Sequence, residues 1–126
     1  MKLHHIGYVV NDISGYEQNL LFEKKEKEIF DHVQNSNMAL YTNFSNSYIE
    51  LIHPLNEESF TFNFLQKKGN GYHHLCYEVS SPEEMKLIAN EQKLILIKGP
   101  LPAILFDNRD VWFYYTRNKQ IIEFVI

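Results

Sequence analysis

The sequence predicts an α+β fold in which one unit, strand–helix–strand–strand–strand, occurs twice. Three observations predict it. The run His4-His-Ile-Gly-Tyr-Val-Val10 is echoed by His73-His-Leu-Cys-Tyr-Glu-Val79, and each is followed by a polar break and a helical pattern. Near the end of each half, Tyr48-Ile-Glu-Leu-Ile52 is echoed by Ile121-Ile-Glu-Phe-Val125. The length of 126 residues, with 44% hydrophobic and 22% charged, suits one domain with its own core. The halves, 1–68 and 69–126, therefore read as two βαβββ modules of a single domain with mainly antiparallel pairing.

Leu3 to Val10 is rich in β-branched and aromatic residues and reads as the first strand. Asp12 or Ser14 caps a helix running to about Lys25, with Ile13, Tyr16, Leu20 and Leu21 on one face. The alternating charges from Glu23 to Glu28 read as its solvated end. Strands follow over 28–34, 38–44 and 48–53, separated by Asn/Ser turns, and Pro54 closes the third. A short helix around 60–67 leads to the turn Gly69-Asn-Gly71. The second half opens with a strand over 72–79. Ser80 or Ser81 then caps a helix with Pro82 in its first turn and Glu83 and Glu84 near its positive end. Strands near 94–98, 111–116 and 120–126 complete the unit, and the aromatic cluster Trp112 to Tyr115 reads as packing.

Composition excludes several partners. A net charge of -4, from 12 basic and 16 acidic residues, gives no electrostatic footprint for nucleic acid or an anionic membrane. The single cysteine, Cys76, cannot form an intrachain disulfide, and its place within a strand suits a packing residue better than a nucleophile. No apolar run approaches the roughly 18 residues of a membrane helix. Met1-Lys2 is followed by histidines where a signal peptide would be apolar, so the expected chain is soluble and cytoplasmic. No phosphate loop, dinucleotide fingerprint or nucleophile elbow is present.

The chemistry lies in polar groups where the pattern wants apolar ones. Glu50 and Glu123 each sit between apolar neighbours on both faces of a strand. A buried, ionised carboxylate must be paired, protonated or bound to a cation. Side chains alternate along a strand. His5 therefore shares a face with Gly7 and Val9, His74 shares one with Cys76, and His4 and His73 point the other way. The small residue two positions on leaves room beside each imidazole. His5 and Glu50 stand 45 residues apart, His74 and Glu123 stand 49 apart, so the His/Glu pair is itself duplicated. Two imidazoles and two carboxylates suit a borderline divalent ion such as Ni, Co, Zn, Mn or Fe(II). On an octahedral ion they leave two positions for water or substrate oxygens.

These residues resemble the vicinal oxygen chelate superfamily of glyoxalases, methylmalonyl-CoA epimerases, extradiol dioxygenases and antibiotic-resistance proteins. The opening His5-Ile-Gly strand, Ile49-Glu-Leu-Ile-His-Pro54, Gly71-Tyr-His-His74 and Ile121-Ile-Glu-Phe-Val125 match its pattern in order across nearly the whole chain. The resemblance implies two βαβββ modules forming an incomplete eight-stranded barrel, a homodimer, and one divalent metal ion per site held by His5, Glu50, His74 and Glu123. A His/Glu/His/Glu set is similar to bacterial glyoxalase I, a branch that prefers nickel or cobalt.

The expected function is thus a metal-dependent lyase or isomerase of glyoxalase I type. Such an enzyme moves a proton α to a carbonyl through a metal-bound enediolate, and the resemblance makes Glu123 the first candidate base and Glu50 the second. The substrate would be a thiol adduct or an acyl thioester. A methylmalonyl-CoA epimerase-like racemase is the alternative; that branch usually carries glutamine at the position of Glu50 and an extra glutamate on the preceding strand, whereas 38–44 holds no carboxylate. Conversely, the arginine of glutathione-dependent glyoxalases after the first strand is absent, and Pro54-Leu-Asn-Glu-Glu-Ser59 is similar to the epimerase branch. A non-catalytic binding protein of the drug-resistance kind is the third reading. Arg109 reads as a surface turn residue.

Overall fold

The computed structural model describes residues 1–126. Eight strands form one continuous sheet: β1 (Lys2–Val9), β2 (Lys24–Asp31), β3 (Ser36–Thr42), β4 (Tyr48–Pro54), β5 (Gly71–Glu78), β6 (Ile95–Ala103), β7 (Arg109–Tyr115) and β8 (Ile121–Val125). Their spatial order is β2-β3-β4-β1-β5-β8-β7-β6. Within each module the first strand pairs in parallel with the last, β1 with β4 and β5 with β8. The two modules join through the antiparallel pair β1–β5. The α+β, twice-βαβββ expectation is met, and the sheet curls into a half-barrel.

Both faces of the central strands are covered, which explains why their sequences read as apolar on both sides. On the inner face Val9, Met38, Leu40, Ile52, Val111, Phe113 and Val125 form one core shared by the modules. On the outer face α1 (Ile13–Glu17) covers Ala39, Tyr41, Ile49 and Leu51. Its counterpart α3 (Pro82–Glu91) covers Trp112, Tyr114 and Phe124 through Met85 and Ala89. The linking helix α2 (Phe62–Lys68) brings Phe64 and Leu65 against the inner core, and Phe60 joins them from the turn before it.

Three elements differ from the sequence reading. The first helix stops at Glu17, and the charged run that was to be its end forms edge strand β2 from Lys24. On an edge, alternating charges face water and discourage pairing with another chain. The sixth strand extends to Ala103 through Pro100 and Pro102, which its place at the edge of the sheet allows. Finally, a 3₁₀ turn (Ile104–Phe106) follows it, with Leu105 and Phe106 buried in the inner core.

The helix α3 starts as its sequence dictates. Ser81 is the N-cap and its hydroxyl accepts from the Glu84 N–H at 3.1 Å. Glu84 returns the contact by accepting from the Ser80 N–H at 2.8 Å. Replacing Ser81 by Ala should lower unfolding free energy by about 1 kcal/mol in urea denaturation, the usual value of such a cap.

Candidate metal centre

The four sequence-selected residues come from the four central strands: Glu50 from β4, His5 from β1, His74 from β5 and Glu123 from β8. Register places them on two rungs of the same face, two residues apart along the strands. Glu50, Gly7 and His74 lie across one, and His5, Cys76 and Glu123 across the other. Each rung is a donor, a small residue and a donor. The small residue lets the flanking side chains lean over it toward each other. At Gly7 the clearance is absolute: a Cβ there would lie 2.2 Å from His74 Cε1 and 2.6 Å from its Nε2.

All four donors converge. His5 Nε2 lies 3.0 Å from His74 Nε2. Glu123 Oε1 is 3.0 Å from His5 Nε2 and 3.2 Å from His74 Nε2, while Glu50 Oε1 is 3.4 and 3.5 Å from the same atoms. Every one of these side chains is buried, none more than 3% exposed. Neither glutamate is on an edge strand, and neither faces solvent.

These positions fit a metal ion. Bonds of about 2.0–2.2 Å to nitrogen and oxygen place neighbouring donors roughly 3.0–3.4 Å apart, close to the spacings observed. Moreover, Glu123 Oε1 is buried with no hydrogen-bond partner, although it stands beside both imidazoles. Neither ring aims an N–H at it. A cation at the common focus would satisfy this oxygen and take all four lone pairs at once.

The titration behaviour expresses the same demand for positive charge. Burial disfavours a proton on His5, yet Cys76 and the carboxylates of Glu50 and Glu123 raise its pKa well above the ordinary imidazole value. Burial pushes Glu123 up, but the close approach and charge of the His5 and His74 rings outweigh it and hold the carboxyl well below the usual range. Outside this ring, burial lowers His4 to about 4 and His73 to about 3, helped by the charge of the neighbouring histidine. Burial and the Glu123 charge raise the Cys76 thiol, which is fully buried, so it packs and does not attack.

The structure adds residues that the sequence did not select. Phe106 packs at 5.0 Å against the His5 ring and 4.9 Å against His4, closing one side of the centre. Phe113 lies 5.7 Å from His74 and 4.8 Å from Phe60 on the other. A cavity of about 350 Å³ lies on the far side of Phe106 and His4, the residues that touch His5, and is lined also by Leu40, Tyr48 and Arg109; none of the four donors lines it. Arg109 is therefore not a free turn residue; its guanidinium binds Glu78 and donates to the Ile126 carbonyl. A larger hollow, about 450 Å³, lies between β1 and α1 and shares no residue with the centre.

The profile of the Glyoxalase/Bleomycin resistance protein/Dioxygenase superfamily matches residues 4–113. The chain belongs to this superfamily. Within it, the chain is 31% identical to the mitochondrial methylmalonyl-CoA epimerase of Homo sapiens over 84 residues, 64% of this chain and 47% of that protein. The match thus spans about half the length of this curated relative. A hypothetical protein from Bacillus halodurans has a similar crystal structure, with TM-score 0.77, 30% identity and coverage of 98% and 92% of the two chains. The crystal structure of methylmalonyl-CoA epimerase from Mycobacterium tuberculosis superposes with TM-score 0.75 at 25% identity, covering 98% and 86%. No helix of the chain is long and apolar enough to cross a membrane.

Two outcomes follow from this geometry. Adding Ni²⁺ or Co²⁺ to chelator-treated protein should raise its melting temperature, because the ion binds the folded centre and not the unfolded chain; differential scanning fluorimetry reads the shift. Gly7→Ala should lose that shift by displacing the His74 ring, and overpacking should cost about 1–3 kcal/mol in denaturant unfolding.

Proposed function

We propose that the chain is a metal-dependent epimerase of the methylmalonyl-CoA type, moving a proton at the carbon α to an acyl-thioester carbonyl. The observation that carries this is the buried His5/Glu50/His74/Glu123 focus, in a chain whose named relatives are methylmalonyl-CoA epimerases. The relatives favour the epimerase alternative over the glyoxalase I reading that the His/Glu/His/Glu set alone suggested.

His5, Glu50, His74 and Glu123 would hold the ion, with nickel or cobalt first and zinc, manganese or iron also suited to the donors. When bound, it supplies a Lewis acid that stabilises negative charge on the substrate's carbonyl oxygen. Glu123 is the first base. Its Oε1 is buried at the focus and has no hydrogen-bond partner, so it is free to take a proton. Epimerisation needs a proton removed from one face and returned to the other. Leu40 of β3 stands opposite Glu50 in the pairing, so β3 offers no carboxylate there. Glu50 is therefore the second proton carrier. Phe106 and Phe113 keep water from the reacting carbon. The cavity at His4, Leu40 and Tyr48 receives the acyl end.

One observation keeps a second reading in view. The same lack of a β3 carboxylate matches glyoxalase I-type chemistry on a thiol hemithioacetal, which isomerises a single substrate and needs no dedicated opposed base. A homodimer is proposed for either activity, on resemblance to the superfamily.

The deciding experiment offers methylmalonyl-CoA in D₂O, and separately methylglyoxal with several thiols, to nickel- and cobalt-loaded protein. α-Deuterium exchange in methylmalonyl-CoA is the expected outcome; consumption of hemithioacetals alone would replace this reading with the second. Glu123→Gln should slow exchange by at least about 10²-fold, within the range for general base catalysis, while its unfolding curve stays cooperative. Undiminished exchange in that variant overturns the assignment of the base.

A further inference from the structure

Each metal-facing imidazole is preceded in the chain by a second histidine, and the two pairs are tied together in the same way. His4 Nδ1 lies 2.8 Å from His5 Nδ1, and His73 Nδ1 lies 2.9 Å from His74 Nδ1. The rings stand edge to face in both pairs, at 76° and 89°. In both, Nε2 of the second histidine turns to the centre. Strict alternation would send neighbours to opposite faces, but the β1–β5 pairing shifts register between Leu3 and His5 and again after Gly7.

A neutral imidazole has one N–H and one lone pair. A ring that offers its Nε2 lone pair to a cation must carry its proton on Nδ1, and that N–H needs an acceptor. Here the acceptor it meets is the Nδ1 of the preceding histidine, which must then hold its own proton on Nε2. We propose that His4 and His73 are a duplicated pair of positioning residues. Each accepts the Nδ1 hydrogen of the ligand histidine beside it and so fixes that ring's tautomer and rotation. The inference rests on the metal-centre reading above.

The surroundings favour this role over plain packing. His73 is 4% exposed and meets Phe64 at 4.8 Å and Phe60 at 6.0 Å, both edge to face. Neither phenylalanine can compete for its Nδ1. On the other side of the pseudo-symmetric centre His4 is walled by Phe106 at 4.9 Å and Tyr48 at 5.2 Å. Different aromatic residues, from different elements, thus hold the same imidazole–imidazole contact twice. A packing role asks only for bulk, which either site could have taken from an apolar side chain. The duplicated feature is the nitrogen.

The test exploits that difference. Asn places an amide oxygen near the Nδ1 position, whereas Leu matches its bulk with no acceptor. Wild type, His73→Asn, His73→Leu, His4→Asn and His4→Leu are titrated with Co²⁺ and followed by visible absorption, with thermal unfolding as the control for folding. The Leu variants should bind Co²⁺ about 10–100-fold more weakly, the usual cost of removing such a partner, and the Asn variants within about threefold of wild type. Leu variants that bind like wild type, or Asn variants as weak as the Leu ones, overturn the proposal. Should His73→Leu not fold, the partly exposed His4 pair decides. On the zinc-loaded wild type, long-range ¹H–¹⁵N NMR should find Nδ1–H on His5 and His74 and Nε2–H on His4 and His73; the reverse assignment also overturns it. A wild type that takes up neither ion removes the metal reading together with this one, whereas uptake with unaffected variants removes this one alone.

Discussion

Two carboxylates and two imidazoles meet at the middle of a continuous sheet, out of reach of water, and the rest of the structure accommodates that fact. Isolated burial of such charges is prohibitively costly, so the site must bring in positive charge or hold protons. Everything near it keeps the four donors dry and fixed. Helices α1 and α3 seal the outer face, so the central strands are apolar on that side without interruption. On the inner face Phe106, Phe113 and Phe60 stand around the imidazoles. Excluding water in this way strengthens every electrostatic contact inside.

The duplicated module explains how so few residues suffice. A single βαβββ unit places its His and Glu on neighbouring parallel strands, with the glutamate opposite the residue two beyond the histidine: Glu50 opposite Gly7, and Glu123 opposite Cys76. That alone gives two donors with one flank open. Antiparallel pairing of β1 with β5 sets the halves together so that Gly7 faces His74 and Cys76 faces His5. Each small residue therefore serves both halves: it sits beside its own module's glutamate and beneath the other module's histidine. The symmetry is imperfect at this point, since Gly7 has no side chain to spare and Cys76 carries a thiol. The His74 side has the tighter tolerance.

The site was more legible in the sequence than the peripheral fold. Glu50 and Glu123 stood out because charge inside an apolar run conflicts with burial, and the conflict occurred twice at corresponding places. His5 and His74 followed from alternation. By contrast, the length of α1 and the start of β2 were hidden because a run of alternating Lys and Glu suits a solvated helix end and an edge strand equally well. The turn at 104–106 was hidden because nothing local marks Phe106 as the residue that covers His5; that contact depends on how far β6 runs along β7. His4 and His73 were assigned to the opposite face because alternation ignores the register shifts of β1 against β5. Periodicity finds what an element buries, and long-range register decides which buried groups touch.

Charge balance links the donor set to the chemistry. Two carboxylates offset a divalent ion, so this centre, once loaded, is neutral without further help. A third ionised carboxylate on β3 would leave a net negative charge in a closed, low-dielectric site, where it would be held only by protonation. Leu40 at that position, opposite Glu50 and 6% exposed, is consistent with a centre already balanced. The consequence falls on the ligands themselves. On the proposed reading, with no spare carboxylate beside them on β3, Glu123 and Glu50 would both complete the donor set and carry the proton. His5 and His74 would then be the two donors with no proton to carry, which gives weight to the neighbouring histidines that meet their Nδ1 atoms.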